Sequence, residues 1–171
     1  ALTYHDVIVQ LSNDPAFTTS SAITVFNNDT DGSAGLEIGT DEEYVEGAEG
    51  KEIKFETTNV RYIRLYSSGN TWGWSHYAEV QVFNLAAEGP VNLVAGISPT
   101  GNLSTDPGST AELATDGSLS TRAGMHDAGL QWIQFDLGAQ KDINTIKLWH
   151  HTDALTYHDV IVQLSNDPAF T

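Results

Sequence analysis

Cysteine is absent from all 171 residues. No disulfide and no thiolate metal site can form, so stability has to come from a packed core or from an ion held by oxygen. Bases are scarce as well: seven Lys and Arg face twenty-three Asp and Glu, for a formal charge of −16. That balance argues against a nucleic acid or an anionic membrane surface as partner, and it suits an exported protein that holds divalent cations. No apolar run reaches eighteen residues, which predicts no membrane insertion. No signal peptide is visible, an absence without weight in a sequence cut from something longer. No segment keeps a helical period over twelve residues, and no Ser-His-Asp arrangement, phosphate-cradling glycine loop or paired-carboxylate motif stands out. The reading is therefore a non-enzyme.

What the chain does contain is short runs of strand character. Tyr4 to Leu11, Ala22 to Phe26, Lys51 to Glu56, Val60 to Tyr66, His76 to Phe83, Gln131 to Leu137, Ile143 to Trp149 and Tyr157 to Leu164 are rich in Val, Ile, Tyr, Phe and Trp, with turn residues between most of them. Many short strands predict an all-β sandwich or jelly roll. Ser109 to Thr115 predicts one short helical turn. Asn27 to Gly50 holds eight acids, no base and five glycines, and reads as a long acidic loop.

The first eighteen residues, ALTYHDVIVQLSNDPAFT, return letter for letter as residues 154–171, an offset of 153. One period is the size of a single domain. A sequence that begins and stops at one point of a cycle reads as a window on a tandem array or as a circular permutant. The stretch Asn84 to Gly101, with Gly89-Pro90 at its centre, is the expected seam. Residues 1–88 then hold the later strands of one repeat, 89–91 the seam, and 92–171 the early strands of the next repeat, or of the same one in a permutant. Only one copy of the duplicated strand is expected to fill its place in a given sandwich. The other serves the next repeat, hangs free, or exchanges into a neighbouring chain. The array is the favoured reading, an engineered permutant its competitor.

Read from Val91 through Thr171 and on from Thr19, the sequence resembles a discoidin, or coagulation factor type C, domain. The residues that carry the likeness are Ala114 to Thr121 (ATDGSLST), Gln131 to Gly138 (QWIQFDLG), Ile143 to Trp149, Val60 to Leu65 (VRYIRL) and Tyr77 to Val82 (YAEVQV). The family has a galactose-binding-like jelly-roll fold and includes the family 32 carbohydrate-binding modules. The resemblance implies a discoidin-like jelly-roll β-sandwich, circularly permuted relative to the chain ends. It also implies a calcium ion held by Asp116, Thr121 and Glu79 with carbonyls of Leu113, Ser118 and Ala78. On the residues alone, Asp116-Gly117 reads as a plain turn and Glu79 as a surface carboxylate. Asn27 to Ser33 offers a second loop of alternating oxygen side chains, for which a solvated acidic turn is the competing reading. Asn28-Asp29-Thr30 and Asn102-Leu103-Ser104 are glycosylation sequons, each readable as a chance triplet.

Three loops, Arg122 to Gln131, His150 to Asp153 and Ser67 to His76, are expected at one end of the sandwich. They offer Trp72, Trp74, His76, Arg122, His126, His150 and His151, a set of rings, donors and acceptors suited to a glycan. No lectin motif matches residue by residue, and Trp72 and Trp74 read equally as packing on a neighbouring module. His150 and His151 are adjacent on a strand and point to opposite faces, which argues against one zinc ion. The functional expectation is a non-catalytic, calcium-stabilised extracellular or cell-surface module, repeated head to tail with copies of itself as an adhesive fibre unit. The alternative is a lectin-like carbohydrate-binding module.

Overall fold

The computed structural model describes residues 3–4, 8–12, 22–42, 44–45, 47–67, 69–70, 75–85, 89–101, 103–104, 106–125, 131–150, 157–158 and 161–166. In chain order the strands are β1 (Thr3–Tyr4), β2 (Ile8–Ser12), β3 (Ala22–Asn27), β4 (Tyr44–Val45), β5 (Lys51–Ser67), β6 (Gly69–Asn70), β7 (Ser75–Phe83), β8 (Thr100–Gly101), β9 (Ala123–Met125), β10 (Gln131–His150), β11 (Tyr157–His158) and β12 (Ile161–Ser165). One 3₁₀ turn, Ala111–Ala114, lies where the sequence predicts a short helical turn. The main sheet runs β3-β2-β12-β5-β10-β7-β9, with β8 on β10, and two small ribbons pair β1 with β4 and β11 with β6. The fold is all-β, and among the described residues every strand pairing except β2 with β12 is antiparallel.

The long strands β5 and β10 form the spine. Gln131 stands opposite Ser67, and the pairing continues to Leu148 opposite Lys51, with register shifts between Asp136 and Lys141 and between Ile143 and Thr145. Such irregularities let one ribbon bend and serve two packed layers. They also correct the sequence reading. Lys51 to Glu56 and Val60 to Tyr66 are one strand, as are Gln131 to Leu137 and Ile143 to Trp149. Their polar interruptions continue the ladder, since Thr58 and Asn59 stand opposite Ile143 and Asp142.

One core lies between the two halves of this ribbon. Ile63, Leu65, Ile133 and Phe135 come from one half and Ile53, Ile146 and Leu148 from the other, joined by Val80 and Val82 of β7. Burying each such side chain contributes about 1.5–3 kcal/mol. The segment from Tyr62 to Ser67 is buried on both faces. On the side away from the main core, Arg64 lies 4.4 Å from the Trp132 ring and donates to Tyr66 Oη and Gln134 Oε1, both at 3.0 Å. Ala34 and Leu36 of the acidic loop pack with Tyr66 and Trp132 in this outer layer.

The expected seam is an excursion on the surface. Leu93 N donates to Val82 O at 2.8 Å, and Asn92 Oδ1 accepts from Val82 N at 3.1 Å and Val94 N at 3.2 Å. Gly89, Pro90 and Val91 are exposed, while Val94 is fully buried in the core it shares with Val80 and Val82. Residues on both sides of the excursion thus build one body.

The duplicated strand departs from expectation. One copy was expected in place, yet both lie on β5, and in the same register. Val9 and Val162 stand opposite Leu65, Gln10 and Gln163 opposite Arg64, Leu11 and Leu164 opposite Ile63, and Ser12 and Ser165 opposite Tyr62. Between themselves the copies run parallel, Ile8 beside Ile161 and Val9 beside Val162.

Candidate functional site

Asp116 opens the loop that follows the 3₁₀ turn, and its carboxylate is held by that loop. Its Oδ1 accepts from Ser118 N at 2.8 Å and its Oδ2 from Thr121 Oγ1 at 2.8 Å. Thr121 Oγ1 also lies 3.2 Å from the Ser118 carbonyl oxygen. Glu79, on β7, reaches the loop from the sheet: its Oε2 accepts from Gly117 N at 3.1 Å. Glu79 is only 2% exposed. Burial pushes its carboxyl above the usual range, with the charge of Asp116 adding to that push and the bonds from Gly117 and Gln81 opposing it. Leu113 lies in the 3₁₀ turn leading into the loop, and Ala78 precedes Glu79 on β7. The base of the loop is tied down by Thr115, whose Oγ1 donates to Ile97 O at 2.8 Å and whose carbonyl accepts from Gly96 N at 3.1 Å.

The donor set fits a hard cation. Two carboxylates, a hydroxyl and a carbonyl face one small loop, and the groups bonded to the carboxylates are amides and a hydroxyl. The sequence missed the Gly117 amide and Gln81 as partners of Glu79. Nothing in residue type marks a backbone N–H in advance, beyond the demand for a tight Asp-Gly turn.

The acidic loop is organised differently from the turn the sequence suggested. Asp29 is fully buried. Its Oδ1 accepts from Gly32 N at 2.7 Å and Ser33 N at 3.1 Å, and its Oδ2 from Ala34 N at 2.9 Å. The loop's own amides surround this carboxylate, so it holds the loop from inside instead of facing solvent. Asn28 is 1% exposed, which leaves a glycan no room at that sequon.

The roots of the three expected ligand loops can be placed from strand register. β5 ends at Ser67 opposite Gln131, where β10 begins. β7 begins at Ser75 opposite Met125, where β9 ends. β10 ends at His150, opposite Tyr77. The described residues on either side of 68–74 and of 126–130 are therefore the same two strand pairs, and His150 stands opposite Tyr77 beside the second of them. Under these roots lie buried polar side chains: Ser67, His76, Gln131 and His150 are all 6% exposed or less. The Tyr77 and His150 rings are 4.8 Å apart. His76 stands opposite Gly124, where an added Cβ would lie 3.4 Å from its ring. Ala123 pairs with Tyr77, so Arg122 lies on the Thr121 side of β9, about 10 Å of strand from Met125. Trp72, Trp74, His126 and His151 lie outside the described residues. Ser67 and Gln131 were not singled out from sequence; as polar residues at strand ends they look like ordinary boundary residues.

Residues 113–170 match the family model for F5/F8 type C domains of the NedA-like, galactose-binding kind. No curated protein and no solved structure matches the chain.

Proposed function

We propose a non-catalytic extracellular module braced by calcium, a reading supported by the match of residues 113–170 to the family model for F5/F8 type C, galactose-binding domains. It serves as a structural or adhesive unit, repeated head to tail with copies of itself. The observation that carries the calcium reading is Glu79: a buried carboxylate, raised by burial, aimed from a core strand at a loop that already presents Asp116, Thr121 Oγ1 and the Ser118 carbonyl. Asp116, Thr121 and Glu79 would hold the ion, with the carbonyls of Leu113, Ser118 and Ala78 completing an oxygen shell. When bound, calcium supplies positive charge that neither carboxylate receives from the amides around it. It would pin the loop that follows the 3₁₀ turn to strand β7, and so lock one end of the sandwich. The duplication of ALTYHDVIVQLSNDPAFT supports the repeat reading.

A second reading, carbohydrate binding, is supported by the convergence of the roots of 68–74, 126–130 and 151–156 over a polar floor. Both readings are tested by one set of melting curves. Calcium at about one hundred times its Kd stabilises by about 2.7 kcal/mol, which for a chain of this size raises Tm by about 5–10 °C. That rise is expected in the native protein and is lost in Asp116→Asn and Glu79→Gln. An identical melting curve in excess chelator would remove the calcium site. A panel of galactose-type sugars that shifts neither Tm nor the fluorescence of the native chain would remove the lectin reading and leave the structural one.

A further inference from the structure

β5 has two edges, and β10 occupies one of them along most of its length. The other edge, from Tyr62 to Leu65, is addressed twice by the same sequence in the same register. A strand edge presents one row of N–H and C=O groups. Two identical strands opposite the same four residues cannot both take that row in full. On the edge itself neither copy has an advantage, because the residues that meet it are the same. We propose that the outer edge of β5 is an exchangeable strand-acceptor site, held in turn by residues 8–12 and residues 161–165 of the same chain.

The two occupancies are not equivalent upstream. In the first copy, Thr3 and Tyr4 pair with Val45 and Tyr44, in the acidic loop. In the second, Tyr157 and His158 pair with Asn70 and Gly69, between the end of β5 and segment 71–74. Tyr4 and Tyr157 are the same position of the repeat, clamped to different loops. Occupancy by the first copy therefore fixes the acidic loop, and occupancy by the second fixes the root of segment 68–74. The β5 edge becomes a two-position switch whose settings differ in which loop is held. This stands independently of the calcium and sugar readings.

Proline removes a ladder donor and is excluded from an interior strand. Gln10→Pro and Gln163→Pro each disable one copy opposite Arg64. With exchange, each single variant loses one of two arrangements and keeps the other, a loss of about twofold where the two are similarly populated, which lowers Tm by only about 1–2 °C. The double variant has no competent strand and loses the cooperative transition. If one copy alone holds the edge, its single variant falls as far as the double and the other is silent, which overturns the proposal. If both copies are needed together, the two costs are each large and add, which overturns it too, as does a double variant that melts like the parent. The Tm values should not depend on protein concentration and the chains should sediment as monomers. Concentration dependence would put the strand of another chain on the edge and overturn the internal exchange. Amide exchange read by NMR supplies the second measurement. Gly69 and Asn70 should exchange at least several-fold faster in Gln163→Pro than in Gln10→Pro, and equal rates would overturn the coupling to the loops.

Discussion

Two carboxylates in this chain are shifted in opposite directions, and their surroundings say why. Glu79 is buried and pushed up by desolvation. Asp136 is partly exposed and pulled down, chiefly by Arg61, whose Nε and Nη2 donate to its two oxygens at 2.8 and 2.9 Å. Gly138 N adds a bond to Oδ1 at 2.8 Å. For Asp136 the folded carboxyl is more acidic than the unfolded one, so folding gains from it at any pH above the unfolded value of about 3.9. That gain fades as pH falls through the lower folded value. Arg61→Gln is therefore expected to lower Tm slightly at pH 7, with the gap between variant and parent closing in acid, below the unfolded value. The gap stays small because both side chains are a third or more exposed. Melting curves across the acid range check it; a gap that persists in strong acid would mean Arg61 acts by packing, with its guanidinium 5.0 Å from the centre of the Tyr62 ring.

At the scale of elements, the turn that leads into β5 rests on a glycine. Gly50 has φ +70, and a Cβ there would lie 2.5 Å from the Trp149 ring, whose Nε1 donates to Ala48 O at 3.1 Å. Gly50→Ala meets both backbone strain and a ring fixed by its own hydrogen bond, and is expected to cost about 2–4 kcal/mol. Gly47→Ala, with nothing within 4 Å and no positive φ, is the control and should change stability little. Chemical denaturation of both variants separates the two effects. The same elements show what residue order can and cannot reveal. Ile63, Leu65, Ile133 and Phe135 alternate toward the core, and that alternation was legible as strand. The joining of Lys51–Ser67 into one strand was not, because Thr57, Thr58 and Asn59 look like a turn until a partner stands opposite them. Asp116, Thr121 and Glu79 could be gathered only through resemblance, since Glu79 and Asp116 meet by strand placement and not by local spacing.

At the scale of the whole molecule, the question is whether residues 84–91 belong to the core or merely close it. The structure ties both ends of that stretch to one place, through Leu93 N to Val82 O and through Leu85 N to Asn144 Oδ1 at 3.0 Å. Leu85 and Val91 are 44% and 67% exposed, so these two side chains contribute little to the core. In a tandem array the same short path would run between repeats, and Leu85 and Val91 would then be the apolar surface nearest the neighbour. Lengthening this path separates its two roles. Six Gly/Ser residues inserted after Gly89 lengthen a loop of about nine residues to about fifteen, at an entropic cost near 0.5 kcal/mol. For the single chain, Tm is thus expected to fall by only about 1–2 °C. In a chain of two or more repeats, the same insertion between repeats would leave each domain melting as before and release the orientation of one against the next. That release is readable as a broader distance distribution between labels placed on neighbouring repeats. A large loss of stability in the single chain would mean that the stretch is part of the fold and not the joint between folds.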